Sequence, residues 1–95
     1  LPHRKASYTV GPDDIARGAR HVCGNCPHGL AARRDLRAAD VSVDGFTMWV
    51  YHSALLPNGW YPLPAAAKEW IDRFDHAEDV VPMTVELSTE GATLA

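Results

Sequence analysis

Four potential soft-metal ligands fall within eight residues: His21, Cys23, Cys26 and His28, in the run His21-Val22-Cys23-Gly24-Asn25-Cys26-Pro27-His28. Zinc requires four such donors in a tetrahedron, and Cys23 and Cys26 have the spacing of half a site. Two further ligands would have to come from His21 and His28 or from elsewhere, such as His52 and His76. The run also has the loop length of a dithiol redox centre, in which a helix start lowers a thiol pKa. A helix is expected before Cys23, however, where redox centres of that type have a strand. A third reading needs no ligand. Cys26 caps a helix that begins at Pro27 and packs as a small hydrophobe. This last reading is preferred, so no cofactor is expected, and zinc is the alternative.

No catalytic set emerges. There is no Gly-x-Ser-x-Gly, phosphate loop or His-Glu-x-x-His. Asp13-Asp14 and Asp72/Asp75 are paired by spacing, but helix N-terminal charge and a solvated helix face account for them. A non-enzymatic protein is expected.

The scaffold for these residues can be read from the apolar pattern. With 95 residues, one domain is expected, with a thin core. No run approaches the length of a membrane span, and the start carries no apolar segment of a signal peptide. Residues 1–6 are expected to be a flexible or added N-terminus, residues 7–88 the domain, and residues 89–95 a flexible tail. Two cysteines three apart suit a reducing cytoplasm.

Ser7 to Val10 alternates as a strand with Tyr8 and Val10 on one face. Pro12-Asp13-Asp14 opens a short helix carrying Ile15, Ala19 and Val22, and a second runs from Pro27 to about Ala38 with Leu30, Ala31 and Arg34 on its inner side and edge. Asp44-Gly45 between Val41-Ser42-Val43 and Phe46-Thr47-Met48-Trp49-Val50-Tyr51 signals a two-residue hairpin. It would pair Val43 with Phe46 and Val41 with Met48, placing these four and Val50 inward, and Ser42, Thr47, Trp49 and Tyr51 outward. Trp60 to Leu63 adds a strand. A helix from Pro64 to about His76 carries Ala67, Trp70, Ile71, Phe74 and Ala77 as one stripe. Met83, Val85 and Leu87 alternate in a last strand. The order β-α-α-β-β-β-α-β predicts an α+β fold, an antiparallel or mixed sheet with helices packed on one face.

These elements leave two candidate surfaces. Trp49, Tyr51, Trp60 and Tyr61, with Leu55 and Leu56 of the adjoining loop, form a candidate interaction surface. If one sheet face is open, Trp49 and Tyr51 stand on it beside one of Trp60 or Tyr61. Arg33, Arg34 and Arg37 form a candidate basic patch. Net charge is −3, divided as +4 over residues 1–37 and −7 over residues 38–95. An acidic chain is a poor binder of phosphate backbones, so a nucleic-acid partner is disfavoured and a solvated helix face is preferred for the arginines.

Asp14-Ile15-x-x-Gly18, Cys26-Pro27 with Arg33, Val41-Ser42-Val43, Pro62-Leu63-Pro64, Trp70-Ile71-x-x-Phe74-Asp75 and Val81-Pro82-Met83-x-Val85-Glu86-Leu87 occur in that order. Over residues 9–87 this resembles a group of small, uncharacterised proteins encoded by phages of actinobacteria. The Cys-Pro step belongs to that pattern and Cys23 does not; the loop over residues 53–60 is longer than the pattern's. The resemblance carries no established activity. It implies a phage-encoded accessory protein in the cytoplasm of a bacterial host, serving host takeover or defence evasion, with a bacterial host protein as partner. A homodimer through the aromatic surface is the close variant, and no membrane contact is expected.

Overall fold

The computed structural model describes residues 2–22 and 24–95. The chain is α+β, with strands β1 (Lys5–Val10), β2 (Ala38–Val43), β3 (Thr47–Ser53), β4 (Gly59–Pro62), β5 (Met83–Ser88) and β6 (Thr93–Leu94) and helices α1 (Pro12–Arg17), α2 (Pro27–Asp35) and α3 (Ala65–Asp75) among the described residues. All pairings are antiparallel, but the strands divide into two sheets, β1-β5 and β2-β3-β4-β6. The tail expected to be loose over residues 89–95 instead turns back and lies along β4, with Thr93 opposite Trp60 and Leu94 opposite Gly59. The N-terminal segment is also tied down. Arg4 N donates to Thr89 Oγ1 and Thr89 N donates to Arg4 O.

One core joins the layers. Alternation drives Tyr8 and Val10 of β1 and Val85 and Leu87 of β5 inward. The facing sheet contributes Val41, Val43, Met48, Val50 and Tyr61. Ala31, Ala32 and Leu36, from α2 and its C-cap, and Ala67, Trp70 and Phe74 of α3 complete it. The inner side of α2 thus falls on Ala31 and Ala32; Leu30 is only half-buried and Arg34 is exposed.

The hairpin keeps its facing but not its expected register. Val43 pairs with Met48 and Val41 with Val50. The slip along β3 is two residues, so the aliphatic face stays inward, while Phe46 moves to the turn tip and is 70% exposed. Neither Asp44 nor Gly45 takes a positive φ, so this is not the mirror-image turn that Asp-Gly suggests. The Asp44 carboxylate takes over the turn, accepting Phe46 N at 2.9 Å and Thr47 N at 2.8 Å. These bonds hold its pKa below the ordinary carboxylate range.

The first helix ends at Arg17, and Val22 is exposed. Gly18 explains the early stop: a Cβ there would lie 2.4 Å from both Cδ and Cγ of Pro27. The α1–α2 connection therefore crosses the start of α2 at a distance only glycine permits. Gly18→Ala is expected to cost about 1–3 kcal/mol through overpacking, read as a lowered midpoint in urea with an unchanged slope.

Helix α3 ends in a Schellman motif, with Glu78 N donating to Arg73 O and Ala77 N to Phe74 O. The left-handed residue of the motif is Ala77, at φ 60°, where a Cβ is penalised. It is exposed, rather than extending the apolar stripe of α3. Ala77→Gly should therefore stabilise the fold by about 1 kcal/mol, visible as a higher thermal midpoint.

Candidate functional site: an open aromatic sheet face

The outer side of β2-β3-β4-β6 displays the strand positions that alternate with the core. Trp49 lies directly opposite Trp60, and Tyr51 opposite Asp40. The two indoles are 5.2 Å apart between centroids, and Trp49 and Tyr51 stack at 6.1 Å. Tyr51 is 40% and Trp60 42% exposed, and Trp49 is half-buried between them. Such contacts hold aromatic rings in fixed orientation while leaving area open to a partner.

His52 joins this group. Its φ is 50°, its backbone N–H donates to Asn58 Oδ1 at 2.8 Å, and its ring lies 4.0 Å from Tyr51. The sequence offered it only as a remote zinc ligand, and not as part of this surface, because strand alternation says nothing of a left-handed residue near a strand end. The loop beyond is shaped by Ser53, whose Oγ accepts Leu55 N and Leu56 N and donates to Leu36 O at 2.6 Å. That geometry turns Leu55 outward and Leu56 inward.

Two residues expected on the interaction surface are therefore core residues. Leu56 is buried, and Tyr61 is fully buried with its hydroxyl donating to Pro57 O at 2.6 Å. Trp60 and Tyr61 are adjacent on one strand and must face opposite ways. The exposed residues of this surface are Tyr51, Trp60 and Leu55, with Trp49 half-buried among them and Leu94 of β6 exposed at the flank.

The candidate basic patch is largely engaged within the fold. Arg34 pairs with Asp14 at 2.7 Å and Asp35 at 2.8 Å and donates to Thr9 O at 2.9 Å. Asp35 in turn accepts Thr9 N at 2.8 Å. Hydrogen bonds from Arg34 hold Asp35 below the usual carboxylate range, and Asp35 and Asp14 push the guanidinium up. The cluster locks the outer edge of β1 onto α1 and α2, with Asp14 itself buried. A buried Asp14 had no signal in the sequence, where acidic residues in a first helical turn read as solvated. Arg33 donates to Gly24 O at 2.9 Å and Asn25 Oδ1 at 3.4 Å. Arg37 is exposed, at φ 50°.

The soft-ligand run is dispersed in part. Cys26 is buried as the N-cap of α2, and its Sγ accepts Gly29 N–H at 3.4 Å. His28 is fully buried, sharing a 2.8 Å hydrogen bond between Nδ1 and Tyr8 Oη and packing edge-on against Trp70 at 4.6 Å. His21 lies instead at the surface, its backbone N–H donating to Asp75 Oδ1. Cys23 lies outside the described residues. Among the described residues no three His, Cys, Asp or Glu side chains are grouped to hold a metal, and no helix is long and apolar enough to cross a membrane.

Fold and surface together define a small α+β domain with one open aromatic sheet face. No protein-family model, curated protein or solved structure matches the chain.

Proposed function

We propose that the domain is a non-enzymatic interaction module that binds a protein through the outer face of β2-β3-β4-β6. The observation that carries this reading is the contiguous, solvent-facing set Trp49, Tyr51 and Trp60 on two paired strands. Tryptophan and tyrosine dominate binding energy at protein interfaces, and rings carried on strands lose little freedom when a partner docks. The outward positions of β2, β3 and β4 contribute Asp40, Ser42, Thr47 and Pro62 beside the rings and no lysine or arginine, which favours a protein over a phosphate backbone. The sequence resemblance extends the reading to a phage accessory protein whose partner is a protein of the bacterial host cytoplasm.

The test is recovery of one discrete partner from an actinobacterial lysate by the wild-type domain and by Val81→Ala, which alters an exposed residue outside the face. Trp49→Ala/Trp60→Ala should lose that partner at least tenfold while still unfolding cooperatively. Recovery undiminished by the double substitution contradicts the proposal. A concentration-dependent dimer dissolved by the same double substitution would identify a second copy as the occupant.

A further inference from the structure

A cavity of about 340 Å³ opens between the α1–α2 connection, the β2–β3 turn and α3. None of the outer-face aromatics lines it, so a ligand held there is independent of the proposed function. Its wall is apolar at Val22, Val43 and Ile71, and two carboxylates, Asp44 and Asp75, stand beside that wall. Both retain acceptor capacity. Asp75 Oδ1 takes the His21 backbone N–H at 3.0 Å, but Oδ2 is 3.7 Å from the His21 ring nitrogen, beyond hydrogen-bond reach. Asp44 uses Oδ1 for the turn amides, and its Oδ2 meets only the Thr47 hydroxyl. A carboxylate offers about four lone-pair sites. No lysine or arginine is among the described lining residues. His21, itself a lining residue, reaches Asp75 Oδ2 only at 3.7 Å; Arg20 is engaged on Phe74, with Nε donating to Phe74 O, and Lys68 lies over the Phe46 ring at 5.3 Å.

We infer that this cavity binds a monocation on a short apolar stem, an alkylammonium or alkylguanidinium group, with its head on Asp75 and Asp44 and its stem against Val22, Val43 and Ile71. The volume is at the low end for ligand pockets, which selects a small group. A cationic head supplies further charge-assisted donors to the remaining lone pairs of the two carboxylates, and its methylenes match the wall. An anion would meet two like charges, and a neutral alcohol of the same length would gain only the apolar contact.

The probe is n-butylammonium, titrated into the isotope-labelled protein while the amide signals of Val22, Gly45 and Ile71 are followed, with butyrate and n-butanol as comparators. Saturable shifts from the ammonium alone are expected. Asp75→Asn, which keeps an acceptor for His21 N, should weaken binding about tenfold or more. If that variant fails to fold, Asp44→Asn provides the same readout. N-acetyl-lysine amide separates the sources: binding of both probes assigns a lysine side chain as a permitted occupant, and binding of butylammonium alone assigns a free amine. Absence of saturation, equal shifts from n-butanol, or unchanged affinity in the folded asparagine variants overturns the inference.

Discussion

Alanine at Tyr61 should destabilise the protein by about 3–5 kcal/mol, whereas alanine at the neighbouring Trp60 should cost about 1 kcal/mol. Tyr61 is fully buried and its hydroxyl satisfies Pro57 O. Truncation there removes apolar contact, leaves a cavity in a small core and orphans a carbonyl. Trp60 loses its ring contact with Trp49 and some half-exposed area. The larger side chain thus has the smaller effect, because strand alternation decides burial. Urea denaturation of the two single variants measures both. Equal losses would mean that Trp60 is a core residue and that the outer face is closed.

Acidification from pH 7 to pH 4 should remove about 3 kcal/mol of stability through His28 alone. Burial pushes its pKa down from 6.5 to about 4, since the imidazolium would lose its hydration. The ring has one partner, Tyr8 Oη at Nδ1, and its Nε2 is buried with no partner among the described residues. The folded-state pKa is the lower one, so the unfolded chain binds more protons throughout the window between the two values. Stability is therefore whole above about pH 6.5 and falls as pH drops towards 4. Asp35 and Asp44 have depressed pKa values, so their loss comes at lower pH, as each is protonated below the ordinary carboxylate range. His76 is shifted upward by the Asp72 carbonyl and carboxylate; it acts in the opposite sense, and its exposure keeps that effect small. His28→Gln, which keeps a polar partner for Tyr8 and does not titrate, should flatten the profile between pH 6.5 and 4.5. A wild-type profile already flat there would contradict the buried neutral imidazole.

Much of the fold was legible because several signals coincided. Pro27 after Cys26 marks a helix start, and Cys26 is indeed its N-cap. Alternation in residues 41–51 places the aliphatics inward whichever of two registers forms, because a two-residue slip preserves facing. The register itself was not legible: glycine at Asp44-Gly45 suggested a left-handed turn, and the Asp44 side chain caps the turn one residue further along instead. Trp60 and Tyr61 are both large aromatics, so the pattern required one inside and one outside without saying which; packing against the core settled it. Strand β6 has only two residues and forms because Gly59 lets it approach. A Cβ at Gly59 would lie 2.8 Å from Thr93 O. Such long-range contacts leave no local trace, and neither does the ion cluster of Arg34 with Asp14 and Asp35.

The central claim is that Trp60, exposed, and Trp49, half-buried, face outward on the open sheet face while Trp70 lies within the protein, its Nε1 donating to Val81 O at 2.6 Å. Acrylamide quenching of tryptophan fluorescence tests it directly. The wild-type protein should be readily quenched, and Trp49→Phe/Trp60→Phe, which retains only Trp70, should be blue-shifted and protected several-fold. Emission from the double variant quenched as readily as wild type would contradict the outward aromatic face and the binding role built on it.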